Sequence, residues 1–516
     1  MRRRRGGIVI PSLVAGVGLA LSLPPWGWWP LAFVGAALLF WRLEGLALRA
    51  RLLAGWVAGI GCFGIGLAWA QSFNWYGAVV LVALEALTMA VAAALTPPRR
   101  GRLGAFVGAF TLLEAARLAW PFGGLPIGGV YLGQAGGPLL GVARLGGPLL
   151  LTALVWAVGA VLGSIGPPAL RAGWRVARRG APDPSGPPSS ANRRQGAACL
   201  ALALAVGAIS LGAAFAPDGG PARRSLSIAA VQGGGRRGVS KAEVAPVVVF
   251  GAQLAASEGL GPNDHLSLVV WPEDVIALSG PLTGTPQAAA LASLARRLHA
   301  TVLAGVTETV SDTSFRNEIV AWGPSGRVVS IFEKVHRVPF GEYIPFRGFF
   351  SHLANLSAVP LDAIAGHGDG LMHTPAAPVG VLVSYEVFFA ARGRSSVRAG
   401  AEVLAVPTNT SSYSTSQVPA QEIAAARVQA VEEGRDLVQA DPTGFSAVID
   451  HRGAVLRRSG LGRRAVIVAT VGLRRGATLY ERWGDLPVEI AAVLLLLSAA
   501  WPSRRRPRAK GAPPVA

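Results

Sequence analysis

The chain has 516 residues, a hydrophobic fraction of 51% and a net charge of +20. Its mean hydropathy of +0.44 is too high for an ordinary soluble protein and predicts membrane spans. Both cysteines, Cys62 and Cys199, lie inside apolar runs. The sequence therefore excludes a disulfide framework, a CxxC metal site and a cysteine nucleophile outside the membrane segments.

Eight apolar runs are candidate transmembrane helices, because a bilayer core requires about 20 apolar residues per helix. Seven of them precede residue 220 and a short one lies near the C-terminus; the runs are 8–24, 27–41, 52–71, 78–96, 103–120, 147–166, 196–215 and 486–501. No small-residue cleavage site follows the first run. It is therefore interpreted as a retained span and not as a signal peptide.

Arginines cluster in every second connection between these runs. Basic residues are concentrated in the N-terminus, three loops and the C-terminal tail, at 2–5, 42–51, 99–102, 171–194 and 504–510. The intervening loops are rich in Trp and nearly free of basic residues. The positive-inside rule then predicts that both termini are cytoplasmic and that 220–480 lies on the outer face. The charge is assigned to topology and anionic lipid, and no nucleic-acid partner is expected.

Three regions are predicted. Residues 1–219 form a membrane domain with seven transmembrane helices and a Pro/Ser/Gly-rich cytoplasmic linker at about 171–195. Residues 220–480 form an extracytoplasmic α/β domain, and 481–516 contain the eighth helix and a basic cytoplasmic tail. The α/β prediction depends on helical patterns at 285–299 and 417–433 between short β-rich runs. Those runs are 226–231, 266–271, 301–306, 317–322, 379–384 and 402–407.

Three stretches of this outer region contain candidate site residues. "VVWPEDVI" places Glu273 just after a strand, where α/β folds often form their sites. "FEKVHRVPFGEYIPF" contains Lys334 and Glu342, and "VLVSYEVFF" contains Ser384, Tyr385 and Glu386. Taken singly, a helix cap, a solvated lysine and a turn hydroxyl explain these residues equally well. Glu386 lies among apolar residues and requires a partner, for which Lys334 is the candidate.

Together the three stretches resemble the nitrilase superfamily. With seven spans before that domain and one after it, the chain resembles the apolipoprotein N-acyltransferase family along essentially its whole length. "LLEAARLAWPFGGLPIGGVYLGQ" is similar to that family's E-x-x-R and W-P…G-Y-x-Q region. "PTNTSSYSTSQVPAQEIAAARVQAVEEGR" is similar to its N-D…R-x-x-A-x-E-x-G-R stretch.

The resemblance implies an eight-helix membrane bundle joined to a nitrilase-like αββα sandwich. It implies a bacterial inner-membrane enzyme without a metal or cofactor. Its ping-pong reaction would move an acyl chain from a phospholipid to the diacylglyceryl-cysteine of an apolipoprotein. The implied roles are general base for Glu273, oxyanion stabiliser for Lys334, nucleophile position for Ser384 and supporting residues at Glu342, Tyr385 and Glu386.

Ser384 stands where the resemblance implies a nucleophilic cysteine. A thiol has a pKa near 8.5, whereas an alkyl hydroxyl is far less acidic, and serine enzymes use a His or Lys base. Three interpretations follow. Ser384 is a nucleophile with Lys334 as its base, or the serine is an engineered replacement, or the chain is an impaired paralogue or scaffold that binds lipoproteins or a cell-envelope partner enzyme. A membrane-tethered amidase is a further alternative, although hydrolysis does not require eight spans.

Overall fold

The structure is a computed structural model of the chain, described for residues 2–165, 190–235, 244–352, 356–357, 359–413 and 416–499. Most of the predicted linker at 171–195 and the predicted basic tail after residue 499 lie outside the described residues. The predicted domain boundaries stay a prediction.

Each of the eight predicted spans overlaps a helix. These helices are α1 Arg2–Ser22, α2 Pro30–Arg42, α3 Leu48–Gly66, α4 Trp75–Leu95, α5 Arg102–Ala119, α6 Ala143–Ile165, α7 Ser190–Phe215 and, near the C-terminus, Leu486–Ser498. Within the described residues, four helical segments are long and apolar enough to cross a membrane: Leu48–Gly66, Trp75–Leu95, Leu140–Ile165 and Gly196–Phe215. Helix α5 is not among these four segments, and it contains three charged residues, Arg102, Glu114 and Arg117.

Glycines allow the bundle helices to approach closely. A Cβ atom at Gly59 of α3 would lie 2.6 Å from Ala86 Cα of α4, and one at Gly55 would lie 2.4 Å from the Met89 carbonyl oxygen. A Cβ at Gly108 of α5 would similarly lie 2.3 Å from the carbonyl oxygen of Ala492. Small residues at such crossings are typical of membrane helix packing.

The remaining elements form two sheets and the helices that cover them. The strands are β1 Arg224–Gln232, β2 Leu268–Val270, β3 Ile276–Leu278, β4 Thr301–Ser311, β5 Ser314–Trp322, β6 Val328–Glu333, β7 Asp362–Ala363, β8 Leu371–His373, β9 Pro378–Val381, β10 Val403–Pro407, β11 Leu437–Ala440, β12 Ala447–Ile449, β13 Val455–Arg458 and β14 Ala465–Leu473. The helices are α8 Pro246–Ala256, α9 Pro286–Leu298, α10 Arg347–Phe350, α11 Ala390–Arg398, α12 Val418–Glu433, α13 Leu479–Trp483 and α14 Leu486–Ser498.

The eight-stranded sheet has the order β14-β1-β2-β4-β5-β6, with β3 on β4 and β7 on β5. The six-stranded sheet has the order β13-β12-β11-β10-β9-β8. Apolar side chains of both sheets, including Ile228, Val270, Val381 and Ala405, form a shared core. Helices α8 and α9 cover the outer face of the first sheet, and α11 and α12 cover that of the second. This layer order is the predicted αββα sandwich.

Helix α12 is the layer that joins the sandwich to the bundle. It contacts α6 and the turn at Val130–Gly136 on one side and the second sheet on the other. Its Gln421 side chain accepts a hydrogen bond from the Gly128 N–H at 2.9 Å and donates one to the Gly66 carbonyl at 3.2 Å. The sandwich is thus held directly against the helical bundle.

Candidate active site

A buried lysine lies between two of the predicted carboxylates. Lys334 follows β6 directly, and its side chain is only 1% exposed. Its Nζ donates to Glu273 Oε1 at 2.8 Å and to Glu342 Oε1 at 2.9 Å. Burial alone would lower the pKa of Lys334, but the two carboxylates more than offset it and hold that pKa well above its usual range. The two carboxylate contacts therefore favour the ammonium form of Lys334.

Glu273 is positioned by the end of β2 and by a close approach to β4. The Gly305 N–H donates to the Pro272 carbonyl at 3.0 Å, and a Cβ at Gly305 would lie 2.4 Å from Glu273 Cα. Burial raises the pKa of Glu273; the Lys334 charge opposes this and the Glu342 charge adds to it. A carboxylate with a raised pKa is better suited to accept a proton near neutral pH.

Asn317 on β5 completes this group, and no sequence signal was assigned to it. Its Nδ2 donates to Glu273 Oε1 and to Glu342 Oε1, both at 2.8 Å. Asn317 is buried, at 4% exposure, and lies on β5 between Arg316 and Glu318, just before the apolar residues 319–322. An amide in a buried strand requires polar partners, and this requirement is the sequence signal that could have indicated Asn317 as a site residue.

Ser384 begins a short turn at the end of β9. The turn covers Ser384–Phe388, and Ser384 is half-buried with a φ of +51°. A non-glycine residue in this left-handed region costs about 1–3 kcal/mol, and such strained residues are enriched at active sites. Gln429 of α12 supports the turn, since its Nε2 donates to the Val387 and Phe389 carbonyls at 3.1 Å each.

Glu386 links the Ser384 turn to the Lys334 segment. One carboxylate oxygen accepts from the N–H groups of Val335 and His336 at 3.0 and 2.9 Å, and the other accepts from Val383 at 2.9 Å. The expected pairing of Glu386 with Lys334 was therefore wrong. Three backbone donors, with Arg392 at 3.5 Å, compensate for burial of this carboxylate. Because Val335 follows Lys334 and Val383 precedes Ser384, the link holds those two segments side by side.

The predicted residue Tyr385 contacts the bundle. Its hydroxyl donates to the Gly124 carbonyl at 2.9 Å, in the connection that follows α5. Burial raises the pKa of Tyr385 well above its usual range, so the hydroxyl stays a hydrogen-bond donor. Tyr413, at the end of β10's loop, packs against Trp69 and Phe73 of the bundle with ring centroids 5.4 and 5.0 Å away.

Two family profiles and many curated relatives match the chain. The apolipoprotein N-acyltransferase N-terminal domain matches residues 15–161, and carbon-nitrogen hydrolase matches 228–479. The apolipoprotein N-acyltransferase of Mycolicibacterium smegmatis is 29% identical over 95% of this chain and 83% of its own length. The chain belongs to the apolipoprotein N-acyltransferase family. The enzymes of that name from Gloeobacter violaceus and Azotobacter vinelandii, also 29% identical, cover 96% and 97% of this chain and 94% and 96% of their own length.

Solved structures are similar to about half of the chain. Nit3 of Saccharomyces cerevisiae, a nitrilase-superfamily member, has a TM-score of 0.37 at 18% identity and covers 49% of this chain and 91% of its own. A carbon-nitrogen hydrolase from Helicobacter pylori G27 has a TM-score of 0.37 at 16% identity over 51% of this chain and 95% of its own.

The family match and the two-sheet architecture confirm the predicted nitrilase-like α/β fold. Family membership and the long apolar helices make the chain a bacterial membrane protein. The scaffold and amidase alternatives are not favoured by these comparisons.

Proposed function

We propose that this chain is an N-acyltransferase of lipoprotein maturation. It moves a fatty acyl chain from a membrane phospholipid to the α-amino group of the diacylglyceryl-cysteine of an apolipoprotein. The observation that carries the proposal is the contact of Lys334 with Glu273 and Glu342, in a chain whose relatives are apolipoprotein N-acyltransferases.

The first half-reaction forms an acyl-enzyme. Ser384 Oγ attacks the ester carbonyl of the phospholipid, and Glu273 accepts the hydroxyl proton. The Lys334 ammonium stabilises the oxyanion of the tetrahedral intermediate. The donor ester bond then breaks, an ester bond to Ser384 remains, and the lysophospholipid oxygen takes the proton from Glu273.

The second half-reaction makes the amide. The α-amine of the lipoprotein attacks the Ser384 ester and gives a proton to Glu273. The ester bond breaks, the proton returns to Ser384 Oγ, and the N-acylated lipoprotein leaves. In both halves Glu342 holds Lys334, while Glu386 and Tyr385 hold the segments on either side of the reacting serine.

The base is Glu273 and not Lys334. A lysine acts as a base only when its amine is neutral, and Lys334 donates to two carboxylates that favour its charged form. The interpretation in which Lys334 is the base for Ser384 is therefore disfavoured. Glu273 is poorly matched to an alkyl hydroxyl, so a serine at 384 acylates more slowly than a thiol at the same place.

The bilayer supplies the acyl donor. We infer eight spans, cytoplasmic termini and an outer-face catalytic region, with regions at 1–219, 220–480 and 481–516. Exposed aromatic side chains lie on segments next to the site: Phe122 and Phe346 lie 6.0 Å apart between ring centroids, and Phe346 is 74% exposed. An apolar surface of this kind suits entry of an acyl chain from the outer leaflet.

The test compares the unaltered chain with Ser384→Cys and Ser384→Ala. Each is expressed in cells depleted of their own N-acyltransferase, and the intact mass of a reporter lipoprotein is measured. We expect the Cys variant to N-acylate the reporter at least about tenfold faster than the unaltered chain, because a thiol ionises more readily. Ser384→Ala should give no N-acylated reporter.

Two results would contradict the proposal. If neither the unaltered chain nor Ser384→Cys acylates the reporter while both still capture it, the chain is a scaffold. If Ser384→Ala acylates as fast as the unaltered chain, Ser384 is not the nucleophile.

A further inference from the structure

A second buried cation lies inside the helical bundle. Arg117 of α5 is 1% exposed, and its Nε and Nη2 bind the two oxygens of Glu114 at 3.0 and 2.9 Å. Its Nη1 lies 3.5 Å from Glu85 Oε2 on α4. We call Arg117, Glu114 and Glu85 the Arg117 cluster. Ionisable groups at such a place are costly in an apolar bundle, which suggests a specific role.

The same guanidinium also binds the connection that follows α5. It donates to the carbonyls of three consecutive residues: Leu125, Pro126 at 3.3 Å and Ile127 at 3.1 Å. The Leu125 N–H in turn donates to the Arg117 carbonyl at 3.0 Å. One side of the 120–129 loop is therefore fixed by the Arg117 cluster.

The other side of the 120–129 loop contacts the candidate active site. Three successive carbonyls are bound by side chains of that site: Phe122 by the Tyr343 hydroxyl at 3.4 Å, Gly123 by His336 Nε2 at 3.3 Å and Gly124 by the Tyr385 hydroxyl at 2.9 Å. These side chains follow Glu342, Lys334 and Ser384 by one, two and one residues, respectively. Every segment that presents one of those three groups is thus attached to the loop.

The 120–129 loop lies close against the end of α5, where the Arg117 cluster is. Gly123 and Gly124 have φ values of +92° and +101°. A Cβ at Gly124 would lie 2.2 Å from the Leu118 carbonyl oxygen, so the loop turns tightly against the end of α5. A shift at Arg117 is therefore transmitted to carbonyls 122–124.

We propose that the Arg117 cluster positions the catalytic groups through the 120–129 loop. Arg117 is a positioning residue, since it contacts neither Lys334 nor Ser384, and it acts on both through the three carbonyl contacts. This inference rests on the proposed acyl transfer for its kinetic test. A chemical test that does not require acyl transfer distinguishes a failure of the positioning role from a failure of the proposed function.

The kinetic test compares Arg117→Lys with Arg102→Lys in the unaltered chain and in Ser384→Cys. Arg102 is a matched control because it is a buried arginine of the same helix, but it donates to the Phe40 carbonyl at 3.0 Å, away from the loop. We expect Arg117→Lys to lower kcat about 10- to 100-fold, the cost of a misplacement of about 1 Å. KM for the lipoprotein should change less than about threefold, since a positioning defect acts on the reacting geometry.

The chemical test measures alkylation of Ser384→Cys by iodoacetamide, with the site identified by peptide mapping. We expect Arg117→Lys to slow alkylation at position 384, because the thiol loses its alignment with Glu273 and Lys334. Arg102→Lys should leave this rate unchanged. Glu114→Gln is the second variant: it keeps the side-chain shape and should give a smaller loss in the same direction.

The outcomes separate cleanly. If Arg117→Lys and Glu114→Gln change kcat and the alkylation rate no more than Arg102→Lys does, the Arg117 cluster is only structural and the inference is wrong. If alkylation slows in both variants but no form of the chain acylates a lipoprotein, the positioning role stands and the proposed function fails.

Discussion

Two regions of this molecule place a buried cation between two carboxylates, and their contacts differ. Lys334 binds Glu273 and Glu342, which account for two of the three N–H donors of an ammonium. Arg117 makes six contacts, to Glu114, Glu85 and three loop carbonyls, which share all five N–H donors of a guanidinium. The lysine keeps a donor for an oxyanion, and the arginine does not.

This difference teaches what each residue type is suited to do. A planar guanidinium fixes several oxygens at once and makes a rigid support, whereas an ammonium is a compact charge that changes partners easily. Burial does not separate the two clusters, since the more exposed carboxylates, Glu342 and Glu114, are 15% and 10% exposed; the difference lies in the contacts. We therefore assign chemistry to the first cluster and positioning to the second.

The largest effect should come from removing the base. Glu273→Gln keeps the shape of the side chain but cannot accept a proton, and we expect a loss of about 10²- to 10⁴-fold in N-acylation rate. This loss is measured in a single turnover, in which a phospholipid in vesicles acylates the enzyme and the intact mass of the enzyme is monitored over time.

The matched control for Glu273→Gln is Glu318→Gln. Glu318 is also a buried carboxyl, but it follows Asn317 on β5 and so points to the opposite face of the sheet. It should retain at least about half of the rate. Equal losses in the two variants would mean that the rate depends on buried charge in general and not on a base at 273.

A somewhat smaller effect should follow when the cation of the active site is exchanged. Lys334→Arg retains the charge, but a guanidinium binds both carboxylates as a fork and leaves no compact donor for the oxyanion. We expect kcat to fall about 10²- to 10³-fold, the usual cost of losing one oxyanion donor. The kcat of Lys334→Arg is compared with that of Arg117→Lys. Full activity of Lys334→Arg would contradict the assignment of chemistry to the Lys334 group and positioning to the Arg117 cluster.

Much of the architecture could be predicted from the sequence, because apolar periodicity records burial. The predicted runs 226–231, 301–306 and 402–407 lie on β1, β4 and β10, and the helical pattern 417–433 lies on α12. The predicted strand 379–384 is longer than β9, which ends at Val381, and Ser384 beyond it adopts a positive φ that no extended strand allows. Strand β13 is exposed at every residue and gave no signal.

The site was only partly predictable, and the missing parts are its contacts. Motif context found Glu273, Lys334 and Glu342, whose polar side chains interrupt apolar segments. Asn317 was missed because a single amide in a strand carries no spacing pattern. The partner of Glu386 was misassigned because backbone N–H donors leave no trace in a sequence, and only the fold brings Val335 and Val383 to one carboxylate.

The smallest effect concerns pH. Asn317→Asp replaces a neutral donor to Glu273 and Glu342 by a third carboxylate, which disfavours the charged form of Glu273 and raises its pKa further. Since the base must be deprotonated, activity is lost as pH falls through that pKa, and the acid limb of the kcat profile should move to higher pH. At neutral pH the loss of activity should stay below about tenfold.

The control is Asn317→Ala, which removes the donor without adding charge and should shift the acid limb less, in the same direction. An acid limb that moves to lower pH in Asn317→Asp would show that Glu273 is not the group whose proton controls the rate.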